Sequence, residues 1–181
     1  MTDRLELNCH CGKTTLAVRG RPMLNVECLC NSCRQAGAVL QQRPGAPRIV
    51  DNKGATRFVL YRKDRVQCLQ GADQLREHRI KDDSKTRRVV AQCCNTPMFL
   101  EFTQGHWLSL YGALWPSDQL PALELRTMVG DLPDQGAALP KDVANLKTHS
   151  ARFFIRLLGA WLAMGLRTPR LDYVRGTLDP N

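Results

Sequence analysis

Glu27-Cys28-Leu29-Cys30-Asn31-Ser32-Cys33-Arg34 places three thiols within six residues. Three converging sulfurs point to a metal. Zn–S bonds of about 2.3 Å in a tetrahedron set neighbouring sulfurs roughly 3.8 Å apart, whereas alternate side chains on a flat strand stand about 6.6 Å apart. The C-x-C half therefore has to lie on a bend, and the site is loop-borne. Three cysteines leave one tetrahedral position unfilled, to be completed by a distant residue or by water and substrate, as in catalytic zinc sites. Residues 23–27 read as a strand leading into the cluster. Residues 34–40 read as a short helical turn whose N-terminal N–H groups face the thiolates and stabilise their charge. Arg34 is either the anchor for an anionic substrate group beside the metal or a plain surface arginine. Residues 41–48, with Pro44, Gly45 and Pro47, form a loop near the cluster that could line a pocket.

On the N-terminal side, residues 4–20 show two short alternating segments joined by Cys9-His10-Cys11-Gly12. This is a β-hairpin whose connection carries two thiols, with Gly12 free to take a positive φ and let both sulfurs face one centre. His10, flanked by two ligating cysteines, points the other way. On the C-terminal side, residues 51–80 alternate in the manner of half-buried strands. Cys68 within them has no partner spacing and reads as a buried, unreactive thiol, and His78 lies on the polar phase. A charged turn at 81–86 precedes a strand that runs into Cys93-Cys94-Asn95-Thr96-Pro97. Adjacent cysteines on an extended chain point in opposite directions, so both bind one ion only if the backbone turns sharply between them. Lys85, Arg87 and Arg88 read as solvated strand-end charge, with phosphate binding as the alternative. Residues 99–102 and 107–111 form a closing hairpin around Gln104-Gly105.

At 181 residues the chain is long enough for one domain of ordinary size with an appendage. Its formal charge of +9 counts every thiol as neutral; seven thiolates and two zinc ions would lower the net to about +6. That field suits an anionic small molecule, nucleic acid or an acidic membrane surface alike. The opening residues lack an apolar run, and the eight cysteines follow metal-type spacings rather than a secreted disulfide framework, so a reducing cytoplasm is expected. The longest apolar run, residues 157–166, falls short of the roughly 20 residues needed to cross a bilayer. Beyond Trp115 the composition shifts. Residues 116–142 hold four prolines and read as an arm with at most short helical pieces such as 120–129, and residues 142–146 open a helix. Ser150 is an N-cap for a helix over about 150–167 that stops before Thr168-Pro169. Arg152, Arg156, Arg167 and Arg170 flank it. It reads as packed on the β domain or on a second subunit, with a membrane interface as the alternative.

The order C-x-C-G, then C-x-C-x-x-C-R followed by Ala-Gly, then a cysteine with a small residue and Thr-Pro resembles the glutathione-dependent formaldehyde-activating enzyme family, which includes centromere protein V. The resemblance spans roughly residues 3–115. It implies a mainly β, Mss4-like β-tent zinc domain over residues 1–115, followed here by a C-terminal extension over 116–181 that contains an α-helix. It also implies one structural zinc, with Cys9, Cys11 and Cys94 matching its ligands, and one catalytic zinc on Cys28, Cys30 and Cys33. Where the family pattern has a further cysteine, this chain has Ala91, with Cys93 beside Cys94 instead. Either the missing ligand is Cys93 recruited by a local turn, or Cys68, or a histidine, or the site holds its metal weakly; Cys93 is the choice. Asn95 replaces an expected glycine and also tolerates left-handed geometry.

The implied activity is that of a zinc-dependent carbon–sulfur lyase acting on glutathione or a related thiol adduct. Arg34 would hold a substrate carboxylate, and His10 and His106 are base candidates by residue type alone. The alternative is a non-enzymatic, zinc-stabilised module that contacts protein, nucleic acid or a membrane surface. In either case the C-terminal helix is a candidate for homo-oligomer contact.

Overall fold

The computed structural model describes residues 4–179, so residues 1–3 and 180–181 of the two expected regions lie outside it. The chain is mainly β, with eleven strands in two sheets and two α-helices among the described residues.

The small sheet contains β1 (Arg4–Asn8), β2 (Thr15–Arg19) and β5 (Val66–Gln70) in the order β1-β2-β5. β1 and β2 form the expected antiparallel hairpin, registered from Arg4 opposite Arg19 to Asn8 opposite Thr15. The large sheet is built from β3 (Leu24–Cys28), β4 (Thr56–Arg62), β6 (Leu75–His78), β7 (Thr86–Ala91), β8 (Thr96–Phe102), β9 (Trp107–Tyr111), β10 (Leu125–Thr127) and β11 (Ala144–Asn145). Its order is β11-β10-β3-β4-β9-β8-β7-β6. Between β3 and β4 lies α1 (Asn31–Leu40), a full helix where the sequence pattern gave only an opening turn, and near the C-terminus lies α2 (Ala151–Leu162).

The central strands are buried on both faces, not half-buried as their alternation implied. On β4, Val59 and Tyr61 join Leu7, Leu16 and Val18 of the small sheet in one apolar cluster, while Phe58 and Leu60 join Phe153 and Leu157 of α2 in another. The same division separates Val89 from Val90 and Phe99 from Leu100. A two-residue period sends neighbours to opposite faces, and here each face has its own cover. The second cover comes from the C-terminal extension, which short-range alternation cannot reveal.

Two expectations for that extension are corrected. Residues 120–129 and 142–146 read as short helical pieces, yet both supply strands. β10 pairs in parallel with β3, Leu125 opposite Val26 and Thr127 opposite Cys28, and β11 pairs in parallel with β10. The open edge of β3 satisfies the backbone of β10 in a way a lone short helix could not. Arg126 locks the arrangement: its buried guanidinium pairs with Glu27 at 2.7 Å and Asp142 at 2.7 Å. α2 starts as expected, with Ser150 Oγ accepting the Phe153 N–H at 3.2 Å, but stops at Leu162 rather than running to 167. Gly165 and Leu166 adopt φ of +62° and +59°, which unwinds the chain into a left-handed turn.

Candidate metal sites and the pocket beside them

The structure gathers Cys9, Cys11, Cys93 and Cys94 in one group and Cys28, Cys30 and Cys33 in a second, the sulfurs of each group lying within 4.8 Å of one another. Among the described residues, all eight cysteines are free thiols.

The first group sits where the β1–β2 hairpin turn meets the β7–β8 turn. Gly12 takes φ +75° just past Cys11. Across from it, Cys94 N–H bonds to Ala91 O at 3.3 Å and Asn95 adopts φ +54°. This is the sharp turn that adjacent cysteines need to face one centre. Sulfur–sulfur distances are 3.7 Å for Cys9–Cys11, 3.8 Å for Cys9–Cys93, 3.4 Å for Cys11–Cys93 and 3.9 Å for Cys93–Cys94. A zinc tetrahedron with Zn–S of about 2.3 Å has edges of roughly 3.8 Å, so the donor set and its spacing fit that ion. Burial and the neighbouring thiols of Cys11 and Cys9 push Cys93 up. Burial also pushes Cys94 up, but the Thr96 hydroxyl at 3.1 Å and bonds from Cys11 outweigh it and bring Cys94 down to about 6. The 41–48 loop packs here: Arg43 Nε bonds Asn95 Oδ1 at 3.0 Å, and Asn95 Nδ2 bonds Pro44 O at 3.0 Å. Cys68 and His78 lie outside both groups. The Cys68 thiol is half-buried and bonds Gln70 O at 3.4 Å.

The second group occupies the junction between β3 and α1. Cys28 ends β3, Leu29 is fully buried, and Cys30 is the N-cap of α1, so the bend required of the C-x-C half is this strand-to-helix junction. Cys30 Sγ accepts the Cys33 N–H at 3.3 Å. The helix thus turns its positive end toward the thiols, as its position after the cluster implied. Bonds from the Cys28 and Cys33 thiols, helped by the Cys33 N–H and the Arg88 charge, hold the Cys30 thiol far below its ordinary value against the opposing effect of burial. The same bond to Cys30 pushes Cys28 up to about 12, and bonds to Cys28 and Cys30 together with burial push Cys33 well up. Three thiols with one strongly acidic member are a soft donor set suited to zinc. Within 4.8 Å no fourth histidine, cysteine or carboxylate joins them among the described residues.

A cavity of about 410 Å³ opens on this group. Its walls are mostly apolar, including Phe58, Trp107, Phe153 and Leu157, and they hold a single charged side chain, Arg88. Arg88 is 1% exposed. Its Nη2 donates to Ser32 O at 3.2 Å and Ser32 Oγ at 2.8 Å, while Nε and Nη1 have no partner among the described residues. Its neighbour Arg87 pairs with Glu77 and Glu101, and buried Lys63 also pairs with Glu101. Among the described residues, Arg88 is the buried cation without a carboxylate. An unpaired buried charge is costly, and the group facing it here is the thiol cluster, whose Cys30 it helps to hold below its ordinary value; three thiolates holding a divalent ion would carry a net −1.

Arg34, the sequence candidate for anion binding, faces elsewhere. Its Nη1 reaches Asp131 O at 3.4 Å, it packs against Gly54, and it is absent from the cavity wall. His10 is exposed, with its backbone N–H bonded to Thr96 Oγ1 at 3.0 Å. His106 is buried and bonds Leu157 O at 2.8 Å, anchoring α2. The histidine on the cavity wall is His149. Thr127 Oγ1 lies 2.9 Å from its Nδ1, its ring stacks on Phe153 at 4.5 Å, and burial lowers its pKa. Neither Arg88 nor His149 has a spacing signal in the sequence. His149 reaches the site through the extension, where Thr127, His149, Phe153, Phe154 and Leu157 complete the wall.

Residues 4–46 match the family model of the glutathione-dependent formaldehyde-activating enzyme, the family that the cysteine spacing resembles, over both C-x-C elements. No curated protein matches the chain. A crystal structure of a Rhodobacter sphaeroides protein, a structural-genomics target, is similar at 13% identity and a TM-score of 0.46, covering 66% of this chain and 97% of that one.

Proposed function

We propose that the chain binds two zinc ions, a structural one on Cys9, Cys11, Cys93 and Cys94 and a reactive one on Cys28, Cys30 and Cys33, and acts as a carbon–sulfur lyase on glutathione or a related thiol adduct. The observation that carries this reading is the 410 Å³ cavity, which opens on three thiols that no fourth histidine, cysteine or carboxylate joins among the described residues. Zinc bound there would polarise a carbonyl or hydroxyl oxygen or lower the pKa of a substrate thiol. The protein's own contribution is positioning and charge. Arg88 balances the negative charge of the thiolates, and the N-terminus of α1 adds to it. His149, with Nδ1 engaged by Thr127, keeps Nε2 for proton exchange with the adduct's hydroxyl or thiol. The apolar walls exclude water and favour an adduct whose carbon part is apolar.

A non-enzymatic binding module is the second reading, favoured by the exposed apolar residues of α2. Elemental analysis of untagged protein, with a glutathione titration, separates the two. Two zinc per chain falling to one in Cys30→Ser, with glutathione binding lost, supports the lyase reading. Wild type holding a single zinc that Cys30→Ser leaves in place, with no glutathione bound, overturns it.

A further inference from the structure

From Ser150 to Leu171 the chain carries four arginines and no acidic residue. α2 turns Phe153 and Leu157 onto the large sheet. The bond from His106 to Leu157 O and the bond from Arg156 to Met23 O at 3.2 Å fix this orientation. Its opposite side is left to solvent: Phe154 is 56% exposed, Ile155 67%, Leu158 52% and Leu162 58%, and just past the helix Leu166 is 54% exposed. Residues 154, 158 and 162 recur every four positions, with 155 alongside, so they form one stripe. Scattered single apolar residues on a surface need no explanation, but a contiguous set of this kind marks an interaction site. Arg152, Arg167 and Arg170 are exposed near it, and none of them pairs with a carboxylate among the described residues.

We infer that this face docks on an anionic lipid surface, with α2 lying in the plane of the interface. The charge pattern selects lipid over a second copy of the chain. A two-fold interface brings the same patch of both subunits together, so it would set these arginines against one another with no acidic residue on the segment to answer them. Anionic headgroups answer both halves of the pattern, accepting the guanidinium groups while the stripe enters the acyl boundary. A twelve-residue helix is about 18 Å long, well short of the roughly 30 Å hydrocarbon core, so it lies on the bilayer and does not cross it. Phe153, Phe154 and Leu157 also line the thiol cavity. Docking therefore brings that wall to the interface, where apolar thiol adducts partition.

The test is co-sedimentation of the zinc-loaded full chain with phosphatidylcholine vesicles, with and without phosphatidylglycerol. Wild type is expected to pellet with the phosphatidylglycerol vesicles and to be released by salt. Ile155→Gln with Leu158→Gln changes only exposed positions, so the fold persists, which circular dichroism verifies; the bound fraction falls about ten-fold or more. Arg152→Gln, Arg167→Gln and Arg170→Gln together weaken binding by roughly ten- to a hundred-fold and abolish its salt dependence. Wild type that stays in the supernatant, or a double variant that pellets as well as wild type, overturns the proposal. Analytical ultracentrifugation showing a wild-type dimer that the double variant dissociates, with no vesicle binding, assigns the face to a second copy instead.

Discussion

The two thiol groups differ in what holds them. Cys9, Cys11, Cys93 and Cys94 are supplied by two hairpin turns that face each other, and their four sulfurs are enough to fill a tetrahedral site. Cys28, Cys30 and Cys33 come from one strand-to-helix junction, stop at three sulfurs, and are faced by a buried arginine and an apolar cavity. The same ligand chemistry thus gives a clasp in one place and an open seat in the other. The difference lies in the partners each group meets. The clasp meets a second turn carrying thiols, and the seat meets a wall built from the C-terminal extension.

The largest effect should come from breaking the clasp. Structural zinc contributes about 10–16 kcal/mol in small domains, comparable with the whole stability of about 5–15 kcal/mol. Cys9→Ser should therefore leave the protein largely unfolded or molten, seen as loss of the cooperative thermal transition in circular dichroism. Cys30→Ser, measured the same way, should keep a cooperative transition. If both variants melt alike, the contrast between clasp and seat is lost.

Next in size is the charge at the seat. Arg88→Gln removes the cation facing the three thiols and should weaken zinc retention there by about 10–100-fold. Competition with a chromophoric chelator would show one zinc released early and the other unchanged. Arg88→Lys should recover part of the loss, whereas equal release from both sites would make the arginine merely structural.

A smaller effect is expected from acid. Burial holds His106 below its ordinary value, with help from the Lys63 and Arg62 charges against the Leu157 bond. The unfolded chain therefore takes up the proton more readily. This contribution to stability is complete above the unfolded value of about 6.5 and is lost as pH falls through it toward the folded value. His106→Gln should flatten the fall in urea midpoint between pH 7 and 5 relative to wild type. A parallel pH dependence in the two proteins would clear His106 of this role.

Smallest of all, Cys68→Ser should shift the thermal midpoint by no more than the equivalent of about 1 kcal/mol and leave zinc stoichiometry unchanged, because its thiol belongs to neither group. A lost zinc would redraw the clasp.

Much of this was legible along the chain. The β1–β2 hairpin, the strand into Cys28, the closing hairpin and the Ser150 cap all follow from local alternation and capping chemistry, which act over a few residues. Cys93 was the choice, ahead of Cys68 or a histidine, for the ligand that the family resemblance left missing, and the structure gathers it with Cys9, Cys11 and Cys94, the left-handed Asn95 supplying the turn that adjacent cysteines need. β10 and β11 were not legible. They are short, proline-flanked and stabilised by the edge of β3, a partner about a hundred residues away in sequence for β10. Arg88 looked like one more basic residue at a strand end, since nothing in 85–88 distinguishes it from Arg87, whose carboxylates come from β6 and β8.

By itself the sequence determined that the chain is mainly β and that Cys28, Cys30 and Cys33 converge, because spacing between near neighbours constrains where their sulfurs can go; the grouping of Cys9 and Cys11 with Cys93 and Cys94 followed from the family resemblance, not from spacing. Only the tertiary structure decided what surrounds those sulfurs. Thr127, His149 and the apolar face of α2 reach Cys28, Cys30 and Cys33 by parallel pairing of β10 on β3. That pairing is set by backbone hydrogen bonds and burial across the whole chain, not by any pattern local to the residues it brings together.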